Sequence, residues 1–336
     1  MEKTVVIYLL KHVVSIGIVA FGIIIAATYA IPHLPIANKQ NFQALLQVQI
    51  TIDRQQEDEL NGKKMLLFMG SSVVERGIAE NYIDSLLRKK EIATIRTTNS
   101  AVGGFFADAN LVLLRTLLAN GIIPERIVYG IFIDDLNGGS VIHNDFGRKN
   151  PNLEMRQKNL LNVLHFGPQA LSPIVDVAML HLYLFAVNNA YREVPQLSAF
   201  QHLTFGENMI KRDSNYQIDT TLLVNLESIY LLCKEHDIPF AIFNTPLRPM
   251  IESPADLPYA HRREAYEAVA QLAYKHGFPI WNLDQPGLFN DSDFRDTYHV
   301  TPIGARKMSG MVLQKIIEWK SGIIMQDSAF DFTFFR

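Results

Sequence analysis

The feature that most limits how this chain can fold is an alternation of short apolar runs with helix-length amphipathic segments. Residues 64–69, 92–98, 126–133, 238–244 and 278–283 have the length and apolar content of buried strands. Segments 78–90, 106–120, 220–236, 261–276 and 303–320 have helical patterning, with Gly121 and Gly277 placed where a glycine closes a helix. A strand that is followed by a helix and then by another strand is expected to pair in parallel. Its sheet is then covered by helices on both faces. Residues 140–219 break the rhythm with several helical stretches and no clear strand, and they read as an inserted helical cap. Because the insertion follows the third strand, it is expected over the carboxyl edge of the sheet. Its segment 174–187 is apolar, but it is only 14 residues long and contains Asp176 and His181, too short and too polar to span a bilayer.

A second constraint sits at the N-terminus. Residues 13–32 (VVSIGIVAFGIIIAATYAIP) carry no charged side chain. Twenty residues at ~1.5 Å rise cover ~30 Å, the hydrocarbon thickness of a bilayer. Lys3 and Lys11 precede the segment, and the next Lys or Arg is Lys39. The positive-inside rule then puts the N-terminus in the cytoplasm and residues 33–336 outside, periplasmic or at the cell surface. A cleaved signal peptide with a small-residue site around Thr28–Ala30 is the competing reading. Its apolar region would be longer than the usual ~7–15 residues, however, and Pro32 falls just past the cut. The expected organisation is an anchor over 1–37, a linker or stalk over 38–62, a domain over 63–325 and a tail over 326–336.

Composition excludes several classes. Hydrophobic residues make up 48% and charged residues 19%, which suits a buried core and not a disordered chain. Lys plus Arg number 31 against 34 Asp plus Glu, a net charge of −3, so no basic excess suits a nucleic-acid partner. The single cysteine, Cys233, excludes an intrachain disulfide framework and a Cys-based zinc site.

In parallel α/β sheets, ligands bind at the carboxyl ends of the strands. The residues expected there are Gly70-Ser71-Ser72, Asn99 to Gly104, Asp134-Asp135-Leu136-Asn137, Asn244 to Arg248, and Asp296 to His299. A serine, a glycine turn and an Asp/His pair are the parts of an acyl-transfer site. Ser72 would be the nucleophile, His299 its base and Asp296 the group that fixes the imidazole. The alternative for Ser72 is an ordinary helix N-cap. The amides of Ser72 and Gly104 are candidate oxyanion donors. Asp134, Asp135, His143, Asn144, Asn244 and Arg248 are candidate substrate contacts, Arg248 as a clamp for a carboxylate or phosphate. Nothing at ligand spacing supports a metal on Asp134 and Asp135, and no cofactor is called for.

Four ordered blocks resemble the SGNH (GDSL-like) hydrolase superfamily: Gly70-Ser71-Ser72, Asn99-x-x-x-x-Gly104, Phe132-Ile133-Asp134-Asp135, and Asp296-x-x-His299 followed by Thr301-Pro302-x-Gly304. The resemblance covers roughly 64–135 and 236–320. It implies a flavodoxin-like three-layer α/β/α parallel sheet, with Ser72, Asp296 and His299 catalytic and Gly104 donating to the oxyanion. With an N-terminal anchor, the plan is similar to the anchored SGNH-like proteins of cell-envelope polymer modification. That implies O-acyl transfer onto, or removal from, an envelope glycan, beside a multi-span membrane acyltransferase as partner. One block departs from the pattern, because Asp134 stands where the family has its oxyanion asparagine. A carboxylate ~4 Å from an oxyanion costs about 4 kcal/mol at an effective dielectric of ~20. Either Asp134 is protonated, or it turns away and Asn137 substitutes, or the domain is a catalytically silent scaffold for envelope assembly.

Overall fold

A computed structural model of the chain describes residues 39–92, 94–138, 216–249 and 259–320. The segment 13–32, nearly all of the cap expected over 140–219, and the tail 326–336 lie outside the described residues. So do His143 and Asn144. Among the described residues no helix is long and apolar enough to cross a membrane.

The elements run α1 (Lys39–Leu60), β1 (Lys64–Gly70), α2 (Ser72–Gly77), α3 (Glu80–Lys89), β2 (Ile95–Asn99), α4 (Ala107–Ala119), β3 (Arg126–Ile131), a 3₁₀ turn (Ile133–Leu136), α5 (Thr220–Glu235), β4 (Phe240–Asn244), α6 (Tyr259–His276), β5 (Ile280–Asn282), a second 3₁₀ turn (Asp291–Asp293) and α7 (Pro302–Lys320). The five strands form one parallel sheet in the order β2-β1-β3-β4-β5. Every strand expected from the sequence is present. β2 starts three residues late and β5 is trimmed at both ends. The six-residue α2 precedes the helix expected over 78–90, which runs as α3 from Glu80 to Lys89.

The side-chain alternation of β1 shows how the layers form. Met65, Leu67 and Met69 face a core shared with residues of α4, α5 and α6. Leu66 and Phe68 face a second core with residues of α2, α3 and α7. Successive strand residues point to opposite faces, so a strand apolar at every position must be covered twice. β1, with all but its first residue buried, is such a strand. The result is three layers, helix on sheet on helix.

The segment expected as a linker, 38–62, contains α1 and does more than connect. Thr51 and Asp58 of α1 are buried, and Arg96 of β2 pairs with Asp58 (2.9 Å) and Glu57 (3.0 Å). β2 is an edge strand, and α1 lies against it and the residues that follow it.

Candidate active site

The carboxyl edge of the central strands carries the site. β1 ends at Gly70, whose φ of 147° a side chain would not tolerate. A Cβ there would meet the Gly130 carbonyl oxygen at 2.5 Å and Val74 Cγ2 at 2.6 Å. This lets the chain turn sharply from strand to helix. Ser71 takes the N-cap position of α2, and Ser72 is its first helical residue. Ser72 is therefore not the helix cap. Its side chain is half-buried at the strand edge.

Asp296 and His299 are supplied by a tight loop between the second 3₁₀ turn and α7. Asn290 and Asp293 close a capping box at that turn, a bridge joins Phe294 to Val300, and the Thr301 amide donates to the Asp293 carbonyl at 2.8 Å. Pro302 then opens α7, where its missing N–H costs nothing. Within the loop, Asp296 Oδ1 accepts the amides of His299 (2.7 Å) and Tyr298 (3.1 Å). Its Oδ2 lies 2.7 Å from His299 Nδ1. His299 Nε2 lies 2.9 Å from Ser72 Oγ, across 227 residues of sequence. With Nδ1–H given to the carboxylate, Nε2 is left as the acceptor for the serine proton. That tautomer follows from the hydrogen-bond network. Burial alone would raise the Asp296 carboxyl. The ring of His299 and the two amides outweigh it, and Asp296 sits below the usual carboxylate range. The Tyr298 ring lies 4.4 Å from the His299 ring and 4.9 Å from that of Phe132, which confines the imidazole on one side.

Two candidate oxyanion donors belong to Ser72 itself and to the turn that flanks it. As the first residue of α2, Ser72 has an amide with no acceptor inside the helix. The Phe105 amide donates to the Val102 carbonyl at 3.0 Å, closing a turn whose third residue, Gly104, has φ 79°. That position of a type II turn requires positive φ, hence glycine. A Cβ on Gly103 would lie 3.5 Å from Ser72 Cβ, so this turn flanks the serine.

The remaining expected residues divide. Asp135 is buried, and its hydrogen bonds are internal. Its Oδ2 accepts the Phe132 amide (2.9 Å) and the Ser71 hydroxyl (3.3 Å). Burial pushes its carboxyl up to about 7 against those two hydrogen bonds. Asn244 is likewise held by internal partners. It is fully buried, donates to Asn282 Oδ1 and accepts the Leu283 amide, tying β4 to β5. Asn137 is fully buried in a bridge to Ile218 and accepts the Gln217 amide at 3.4 Å. Arg248 stands beside the His299 loop, its amide donating to the Thr297 carbonyl at 3.1 Å and its Nε to Asp291 at 3.2 Å. The carboxylate that a substrate clamp would need to displace is thus already present. Asp134 lies on the 3₁₀ turn, and its side chain is outside the description.

Sequence reasoning missed the partners that support the site: Ser71, Tyr298, and the α1 residues Gln47 and Thr51. Ser71 stands in the Gly-Ser-Ser run, but nothing in that run distinguishes a residue that bonds Asp135 from a plain neighbour of Ser72. Cys233 is buried and its thiol is pushed up to about 12, so it does not compete as a nucleophile. Among the described residues no group of three or more His, Cys, Asp or Glu could hold a metal ion.

No family model and no curated protein matches the chain. Among solved structures it is similar to the acetyl xylan esterase AlAXEase, at 11% identity and a TM-score of 0.40 over 76% of this chain and 98% of that one. A catalytic mutant of Axe2, an acetylxylan esterase from Geobacillus stearothermophilus, matches at 13% identity and a TM-score of 0.42 over 76% and 95%. A lipase/acylhydrolase from Enterococcus faecalis matches at 10% identity and a TM-score of 0.41 over 76% and 95%. Likenesses this distant carry no argument about activity.

Proposed function

We propose that this chain is a serine esterase or O-acyltransferase of SGNH type that works by a covalent acyl-enzyme. The observation that carries the proposal is the unbroken relay from Ser72 Oγ through His299 to the Asp296 carboxylate, at 2.9 Å and 2.7 Å. In it, Ser72 Oγ attacks the ester carbonyl while His299 Nε2 takes its proton. Asp296 holds the imidazole in register and stabilises the imidazolium. The amides of Ser72 and Gly104 receive the oxyanion, each donor of this kind being worth ~10²–10³ in kcat. The alkoxide leaves with the proton from His299, and the acyl group stays on Ser72. Water then releases it as an acid, or a sugar hydroxyl takes it as a new ester, with His299 again serving as base.

The finer reading is that the enzyme is membrane-anchored, faces outward, and adds or removes O-acyl groups on a cell-envelope glycan, with a multi-span membrane acyltransferase as the donor's carrier. It rests on the uncharged segment 13–32, on the placement of Lys3 and Lys11, and on the ordered motif resemblance. Fluorophosphonate labelling tests the core of the proposal. Ser72 is the expected adduct site, and Ser72→Ala is expected to abolish labelling. A wild-type protein that resists the probe would leave the catalytically silent scaffold as the reading.

A further inference from the structure

We infer that α1 is a working part of the oxyanion loop, with Gln47 and Thr51 as positioning residues for it. This rests on the acyl-transfer reading above. Three α1 side chains spaced i, i+4, i+7 lie on one helix face; two of them touch Asn99 and Ser100, and the third reaches Asn99 through Glu80. Gln47 Nε2 donates to the Asn99 carbonyl at 2.7 Å. The hydroxyls of Thr51 and Ser100, both fully buried, are 2.7 Å apart. Arg54 pairs with Glu80, and the same carboxylate oxygen accepts the Asn99 amide.

Asn99 passes the constraint onward in two directions. Its Nδ2 lies 3.1–3.3 Å from the carbonyls of Val74, Glu75 and Ile78, around the C-terminal end of the helix that starts at Ser72. Its Oδ1 accepts the Ala101 amide at 3.2 Å, at the start of the loop to Gly104. On the other side, the amides of Ser100 and Val102 donate to the carbonyls of Phe68 and Gly70 of β1. The loop that carries Gly104 is therefore held between the end of β1 and a helix whose sequence looks like a spacer. Among the described residues, the α1 contacts fall on Asn99, Ser100, Glu80 and Arg96 and not on Ser72, Asp296 or His299. Its effect on chemistry is exerted through the backbone of 99–104.

The buried hydroxyl pair carries the sharpest test. The Thr51 hydroxyl donates to the Gln47 carbonyl at 2.7 Å and so accepts from Ser100; removing it leaves the buried Ser100 hydroxyl unmatched, and the loop is free to shift. In the full-length chain, Thr51→Val, Thr51→Ser and Gln47→Ala would be compared by the rate of fluorophosphonate labelling at Ser72. Their kcat and KM on p-nitrophenyl acetate would be measured across pH. Thr51→Val and Gln47→Ala are each expected to lower kcat and the labelling rate about tenfold, a fraction of what a lost oxyanion donor costs. KM should stay within about twofold and the pH profile should not move, because the triad is untouched. Thr51→Ser keeps the hydroxyl and is expected to stay within about twofold of wild type. Gln47 is only half-buried, so its variant gives an answer even if Thr51→Val fails to fold. The inference is overturned if wild type labels at Ser72 and both Gln47→Ala and Thr51→Val react at its rate. Equal losses in Thr51→Ser and Thr51→Val would overturn it as well, since the methyl and not the hydroxyl would then matter. A wild type that does not label removes the acyl-transfer reading itself, and the inference with it.

Discussion

Two buried carboxylates at the carboxyl edge of this sheet have opposite fates. Asp296 and Asp135 are 7% and 2% exposed, so desolvation penalises the charge of both. Asp296 is met by two backbone amides and a ring nitrogen, and its carboxyl is lowered. Asp135 is met by one amide and one hydroxyl on Oδ2. Its Oδ1 is buried with no partner among the described residues, and its carboxyl is raised to about 7. Asp135 is the more deeply desolvated of the two, and only Asp296 faces a ring that can carry positive charge, so burial, donors and the His299 ring together decide which group stays ionised. The first is equipped to support an imidazolium. The second is a structural clamp that joins the turn after β3 to the serine-bearing turn after β1, and its charge is a liability.

The comparison breaks most visibly if Asp296 proves dispensable. Asp296→Asn keeps an acceptor for the His299 and Tyr298 amides but offers the imidazole the wrong partner. The expected result is a fall in kcat of about 10²–10⁴, far larger than the loss of stability at neutral pH that removing the paired carboxylate also brings. An equal loss of stability and activity would make Asp296 structural, like Asp135. The stability contribution of Asp296 has the sign of a depressed carboxylate. It is present above the unfolded pKa of ~3.9 and lost as pH falls through the lower folded value.

A smaller effect, of opposite sign, is expected at Asp135. Its folded carboxyl lies above the unfolded one, so the contribution is full below the unfolded pKa of ~3.9 and is lost as pH rises through about 7. Relative to Asp135→Asn, wild type should lose about 2–3 kcal/mol of unfolding free energy between pH 5 and pH 8. Urea denaturation of both proteins at several pH values measures it. Parallel curves would mean that Asp135 is not held in the folded state as the structure indicates.

The same contrast explains what the sequence disclosed. The Asp296–His299 turn holds itself, with donor and acceptor three residues apart, so Asp-x-x-His ahead of Pro302 could be read directly. Gly70 and Gly104 were legible because positive φ leaves glycine little competition. The sheet was legible because β1, β3 and β4 are apolar on both faces, a pattern that admits few other folds. Asp135 and Asn244 looked like substrate contacts because sequence places them at the right edge and cannot say which way they face. Burial beneath the edge is a property of packing. The role of α1 was hidden for a related reason: Gln47, Thr51 and Arg54 are ordinary residues of a polar helix until the Asn99–Ser100 turn is set against them. Asn99 itself was legible as a motif residue, but its grip on the carbonyls of α2 was not.

The central claim is that Ser72 and His299 act as one unit. The most direct measurement is kcat/KM for Ser72→Ala, His299→Ala and the double variant on the same activated ester. Groups that serve a single step are strongly non-additive, so each single change is expected to cost about 10³ or more, and the double change about the same as either. Losses that multiply in the double variant, or a Ser72→Ala protein as active as wild type, would contradict the account.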